Sequence, residues 1–183
     1  MRIIAGELKG RKLETPADNR VRPTTDKVKE AIFSMISGYI PDATVIDMFA
    51  GTGSLGLEAI SRGAAKAYFV DRDKTSLAMV RRNIQHVGAG DRSVVIWSDF
   101  NSAAAKINDT ADVIFLDPPY KAGYMQDCIA LIDDNDLLVD DGIIVAEHGI
   151  DEVLPDNIGS FVKIKTKKYS KVGVSLYEKQ EED

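Results

Sequence analysis

Cysteine is almost missing from this 183-residue chain: Cys128 is the single example. An internal disulfide and a thiolate zinc cluster are therefore excluded, and a buried, inert thiol is expected on a helix. Histidine is nearly as scarce. His86 and His148 stand apart, with no second ligand at metal spacing, so no metal is expected. No apolar run approaches the roughly 20 residues of a membrane-spanning helix. Near the N-terminus, Arg2, Glu7 and Lys9 take the place of a signal peptide's apolar segment. A cytoplasmic protein without a membrane partner is the expectation. Repeats, low-complexity tracts and long linkers are also lacking, which leaves one full-sized core with a small appendage.

The charge is unevenly placed. A net charge of -6 argues at first against a nucleic-acid partner. Yet residues 1–22 carry Arg2, Lys9, Arg11, Lys12, Arg20 and Arg22 against Glu7, Glu14 and Asp18, and residues 161–171 carry five lysines and no acid. The acids concentrate between Asp109 and Asp156, where thirteen face Lys121 alone. Such blocks can be ordinary solvated faces, and charge by itself does not decide between that and a binding track.

Periodicity gives the architecture. Residues 2–15 suggest two short strands around Gly6 to Gly10, a basic hairpin, and residues 16–23 a loop. Thr24 and Thr25 offer capping hydroxyls before a helix whose buried face is Val28, Ala31, Ile32, Met35 and Ile36. Apolar strands are then expected at 44–48, 66–71, 93–98, 111–117 and 142–148, alternating with helices near 54–62, 74–87, 101–107 and 123–132. Strands apolar throughout are covered on both faces, so the reading is α/β, a parallel Rossmann-like sheet with right-handed crossovers. Residues 161–169 and 172–178 read as an antiparallel closing hairpin. In such sheets ligands bind at the carboxyl ends of the strands.

Those ends carry the chemistry. Val45 to Ala59 reads as strand, tight turn and helix, with Gly51, Gly53 and Gly56 at the turn. The spacing matches the dinucleotide fingerprint, in which glycine lets a ligand approach backbone N–H groups at a helix start. Asp47 changes the expected ligand. Its carboxylate would repel a pyrophosphate but would partner the sulfonium and ammonium of S-adenosylmethionine; alternatively it satisfies neighbouring backbone N–H groups. Asp71 ends the second strand 20 residues after Gly51, where it can accept both hydroxyls of a ribose, whichever cofactor carries it. Asp99 ends the third strand, as a helix cap or as an acceptor for an adenine amine, with Phe100 against the base.

The stretch Asp117-Pro118-Pro119-Tyr120 ends the fourth strand. Each proline holds the preceding residue extended and lacks an N–H, so the Asp117 carboxylate and nearby carbonyls can project as acceptors. A nucleobase amine is a poor nucleophile because its lone pair is delocalised. Acceptors on its hydrogens free that pair, and Tyr120 can stack on the base and hold it in line. A plain Pro-Pro turn is the simpler alternative, and the glycine loop and acidic strand ends weigh against it.

With Arg2 to Gly6, Gly10 to Leu13, Arg22 to Phe33, Asp47 to Glu58 and Phe115 to Tyr120, the chain resembles the RsmD-type ribosomal RNA guanine-N2 methyltransferases, within class I adenosylmethionine-dependent methyltransferases. The resemblance spans nearly the whole chain. It implies a seven-stranded sheet of order 3-2-1-4-5-7-6 with helices on both faces, a basic N-terminal hairpin and loop over 1–23, and the methyltransferase domain over 24–183. It implies cofactor contacts from Asp47, Gly51, Gly53, Asp71 and Asp99, with Phe49, Ala50, Arg72 and Phe100 beside them, and a catalytic Asp117, Pro118, Pro119 and Tyr120. Arg22 and Thr24 are expected near the cleft. The implied substrate is a guanine of small-subunit ribosomal RNA in an assembled particle, gripped by Arg2, Lys9, Arg11, Lys12, Arg20 and Arg22, with the lysines of 163–171 extending the track. A monomer is expected.

Three rival readings compete with this one. Adenine-N6 DNA methyltransferases share the proline tetrapeptide, but the residues before Thr44 leave little for reading a duplex. A dehydrogenase is favoured only by the glycine spacing. A non-catalytic RNA-binding assembly factor would have little use for an intact Asp117 to Tyr120.

Overall fold

Alternate residues of each central strand enter opposite cores, and this two-sided burial explains the continuous apolar runs. The computed structural model describes residues 1–17, 24–119 and 123–180. Its parallel strands are β1 (Thr44–Asp47), β2 (Lys66–Asp71), β3 (Ser93–Trp97), β4 (Ala111–Leu116) and β5 (Leu138–Gly149). The helices are α1 (Asp26–Met35), α2 (Ser54–Ser61), α3 (Lys74–Val87), α4 (Phe100–Ala103) and α5 (Tyr124–Asp134). Val45, Phe69, Phe115 and Val145 join α1, α2 and α3 in one core; Ile46, Val70, Ile114 and Ile144 join α4 and α5 in the other. Cys128 is buried in the second core, which pushes its thiol pKa up to about 12.

The closing segment is β6 (Asn157–Ile158), β7 (Phe161–Tyr169) and β8 (Val172–Lys179). The eight-stranded order is β3-β2-β1-β4-β5-β8-β7-β6, with β5–β8, β8–β7 and β7–β6 antiparallel. The expected seven-stranded order is thus present with one added edge strand. Two residues long, β6 is too short to show a period of two, and its turn is set by Gly159 at φ +56° and by Ser160 N–H donating to Asp133 at 2.8 Å.

Three expectations shift. The helix expected at 101–107 is one α-helical turn followed by a 3-10 turn, Ala104–Lys106. Strand β5 begins at Leu138, four residues before the expected start. The N-terminal hairpin is reduced to a single antiparallel bridge, Arg2 with Lys12. Its place in the fold comes from side chains. Ile3 and Leu13 are buried in the first core, and Glu58 on α2 accepts the N–H groups of Ile4 and Ala5 at 2.9 and 3.1 Å. Ser61 takes the N–H of Leu8 at 3.0 Å, and Asn83 takes that of Glu14 at 2.7 Å. Among the described residues no helix is long and apolar enough to cross a membrane.

Candidate active site

Gly53, at φ +81°, ends the turn after β1 and starts α2, so the loop rests on a backbone angle that side chains disfavour. Gly56 serves packing. A Cβ built there would lie 2.4 Å from Phe69 Cε1, so its absence lets α2 sit directly on β2. Two aspartates hold the loop: Asp71 Oδ2 accepts the Gly51 N–H at 2.9 Å, and Asp47 Oδ2 accepts the Gly56 N–H at 3.2 Å.

A cavity of about 880 Å³ opens over this loop. It runs across the carboxyl ends of the strands, from Ser98, Asp99 and Phe100 after β3, past Asp71 and Arg72, Asp47 to Thr52, and Asp117 to Pro119, to Glu147 near the end of β5. The turn from Lys168 to Val172 closes one side; Met1, Thr24, Thr25, Lys27 and Val28 close another. Phe49, Phe100 and Tyr124 form an aromatic wall, Phe100 and Tyr124 meeting edge to face at 4.8 Å.

The cavity is strongly acidic along its floor. Burial, opposed by the N–H groups of Gly56 and Phe49 and reinforced by the charge of Asp71, raises the Asp47 pKa to about 7. Asp117 is raised well above the ordinary carboxylate range by burial and by the neighbouring charges of Glu147 and Asp47. Asp99 moves the other way, lowered by the Ser102 N–H that it caps at 2.8 Å.

The structure therefore brings Asp47, Phe49, Ala50, Gly51, Asp71, Arg72, Asp99, Phe100, Asp117, Pro118 and Pro119 to one cavity. Gly53, the last residue of the loop and the N-cap of α2, does not itself line the cavity. Asp47 and Asp99 each bond local backbone, as the simpler reading of each has it, and each also lines the cavity. Tyr120, Arg20 and Arg22 fall outside the described residues. Arg2, Lys9, Arg11 and Lys12 are exposed and away from the cavity wall. Arg2 pairs with Asp26 at 3.3 Å, and Arg11 donates to the His86 carbonyl at 3.3 Å.

Sequence reasoning missed Glu147, Ser98 and Tyr124, and it gave Lys168 and Lys171 of the β7–β8 turn to an RNA track without placing that turn on the cavity wall. Glu147 had a signal: like Asp47 and Asp117 it follows an apolar strand, Ile143 to Ala146. The turn had none, because only the antiparallel pairing of Gly149 with Val172 carries it to the cavity.

The sheet order, the glycine loop and a cavity bounded by acidic strand ends define a class I methyltransferase. Residues 1–178 match the family described as "Conserved hypothetical protein 95". The chain belongs to this family, that of ribosomal RNA small subunit methyltransferase D. It is 42% identical over 183 residues to "Putative rRNA methyltransferase YlbH" of Bacillus subtilis, covering 98% of this chain and 100% of that one. It is 35% identical over 180 residues to ribosomal RNA small subunit methyltransferase D of Escherichia coli K12, covering 98% and 90%. The solved Escherichia coli structure "Putative methyltransferase yhhF" has a TM-score of 0.87 at 34% identity, covering 98% of both chains.

Proposed function

We propose that this protein transfers a methyl group from S-adenosylmethionine to the exocyclic N2 amine of a guanine in small-subunit ribosomal RNA, with the assembled subunit as substrate. The observation that carries this reading is the shared cavity. Asp117-Pro118-Pro119, a hydrogen-bond acceptor set suited to an amine, opens onto the space bounded by the glycine loop. The naming of the Escherichia coli relative for small-subunit ribosomal RNA supports the substrate.

The residues present fit the methyl donor. Ser98 Oγ is buried without a hydrogen-bond partner among the described residues, and its residue lines the cavity, as expected of a hydroxyl that a ligand satisfies. Asp47 and the Gly51 to Gly53 loop would hold the methionine end, Asp71 the ribose, and Ser98, Asp99 and Phe100 the adenine, with Phe49, Ala50 and Arg72 along the walls. When bound, S-adenosylmethionine supplies an electrophilic methyl group on a sulfonium.

The chain's own work is positioning. Asp117 accepts a hydrogen of the amine, which localises the nitrogen lone pair and holds it in line. Tyr120 stacks on the base. The methylated amine is acidic and gives its proton to Asp117 or to water, so a strong base is unnecessary. Arg2, Lys9, Arg11 and Lys12, with Arg20 and Arg22, contact phosphates of the RNA. The protein acts as a cytoplasmic monomer.

The test is incubation with methyl-labelled S-adenosylmethionine and, in parallel, naked small-subunit RNA, assembled subunits and duplex DNA, followed by nucleoside analysis. Labelled N2-methylguanosine from subunits is the expected product. Label in N6-methyladenine of DNA, or no transfer to any substrate, overturns the reading.

A further inference from the structure

Leu116 pairs with Ala146 in the parallel β4–β5 ladder, so the next residues, Asp117 and Glu147, stand side by side at adjacent strand ends. Both line the cavity, on the far side of β1 from β2 and β3. Glu147 is 6% exposed, and its Oε2 accepts the Thr24 hydroxyl at 2.9 Å, which fixes the carboxylate against the wall. The reading above gives Asp117 the acceptor amine and leaves its neighbour without a role.

We propose that Glu147 is a specificity residue that accepts the ring N–H beside the acceptor amine and so restricts methyl transfer to guanine. This rests on the assignment of Asp117 to the amine. Three nucleobases carry an exocyclic amine, and they differ at the adjacent ring nitrogen. Guanine presents N1–H, a donor, beside its N2 amine; adenine presents N1 and cytosine presents N3, both bare acceptors. Two adjacent carboxylates thus match the donor–donor edge of guanine. Against adenine or cytosine, Glu147 would set an oxygen against a nitrogen lone pair with no proton between them, a built-in penalty for the wrong base. This discrimination operates on shape and polarity at the edge of one base, so it needs no recognition domain.

The experiment compares an RNA substrate carrying guanine at the methylated position with one carrying 2-aminopurine there, which keeps the C2 amine but has a bare N1. The native enzyme should favour guanine by roughly 10⁴-fold in kcat/KM, as sites built to hydrogen-bond a substrate N–H do. Glu147→Gln offers N1 either an amide oxygen or an amide N–H, so the preference should collapse to within about tenfold. Calorimetric affinity for S-adenosylmethionine and the melting temperature report whether the variant is intact. Should it fail to fold, Thr24→Val carries the test, because losing the hydroxyl removes a bond that orients the Glu147 carboxylate and so lowers the same ratio. A ratio unchanged in the folded variant overturns the assignment of Glu147 while leaving guanine methylation standing. Transfer to a base other than guanine, or to none, overturns the proposed function together with this inference.

Discussion

Lys29 Nζ lies 3.3 Å from Glu58 Oε2, with both side chains fully buried. The pair is the hub of the N-terminal attachment. Lys29 also donates to the Arg2 carbonyl at 2.7 Å and to Ser54 Oγ at 3.2 Å, and Glu58 takes Arg62 at 2.8 Å besides two backbone N–H groups. Burial lowers the Lys29 pKa, and the Glu58 charge opposes that shift. Lys29→Met should cost about 3–5 kcal/mol in urea unfolding, because it leaves a fully buried carboxylate without the one of its two cations that is itself fully buried. The exposed Arg2–Asp26 pair offers a control: Arg2→Ala should cost under about 1 kcal/mol.

Gly56→Ala should destabilise, although alanine in an ordinary helix gains about 1 kcal/mol over glycine. The added Cβ would lie 2.4 Å from Phe69 Cε1 and 2.8 Å from Cζ, and overpacking of this kind costs about 1–3 kcal/mol. Phe69 also flanks Gly53, so its displacement reaches the glycine loop. A lower melting temperature with weaker S-adenosylmethionine binding is expected, and Phe69→Leu in the same chain should restore part of both.

The contrast between these glycines and the N-terminal segment shows what sequence could carry. The strand–turn–helix at Asp47 to Ser61 and the acidic ends of β1, β2, β3 and β4 are local patterns, legible because each lies within one run of residues. The hairpin was legible only as composition. Its fixing depends on Glu58, Ser61 and Asn83, side chains that meet it across gaps of more than fifty residues. Glu147 reaches the cavity through the parallel pairing of β5 with β4, and the β7–β8 turn through the antiparallel pairing of β8 with β5; no periodicity within a strand reports which neighbour it will take.

Changing Lys9, Arg11 and Lys12 together to Ala should weaken RNA use and flatten its salt dependence, each lost phosphate contact reducing the slope by about 1. Their exposure away from the cavity wall predicts that S-adenosylmethionine affinity is untouched. A wild-type salt slope for methyl transfer to subunits would remove this segment from the RNA surface.

Asp47 links stability to pH. Its folded pKa of about 7 exceeds the ordinary 3.8, so between these values the folded state binds the proton and the unfolded chain has released it. Stability from this group is therefore present at low pH and is lost as pH rises through 7. Asp47→Asn keeps an oxygen for the Gly56 N–H without the charge. Its melting temperature should exceed the native value by an amount that grows from pH 4 to pH 7, about 3 °C per kcal/mol recovered. The same change should weaken S-adenosylmethionine binding at pH 8 by at least about tenfold, since the cation it would face is lost as a partner.

Asp117 should set the acidic limb of the reaction. In the proposed reaction its carboxylate form accepts the amine hydrogens, and burial, then Glu147, then Asp47, hold its pKa well above 3.8. Raising the pH therefore activates, with kcat/KM rising tenfold per pH unit on the acidic side and levelling off once Asp117 is ionised. Asp117→Asn retains an acceptor oxygen but neither titrates nor carries the carboxylate's charge, so that limb should disappear and the plateau fall at least about 100-fold. Asp117→Ala should abolish transfer while S-adenosylmethionine still binds, because the glycine loop that would hold the methionine end is braced by Asp47 and Asp71, from other strands. Native turnover by Asp117→Ala, or an acidic limb unchanged in Asp117→Asn, would place the proton-accepting group elsewhere in the cavity, with Glu147 as the neighbour to examine next.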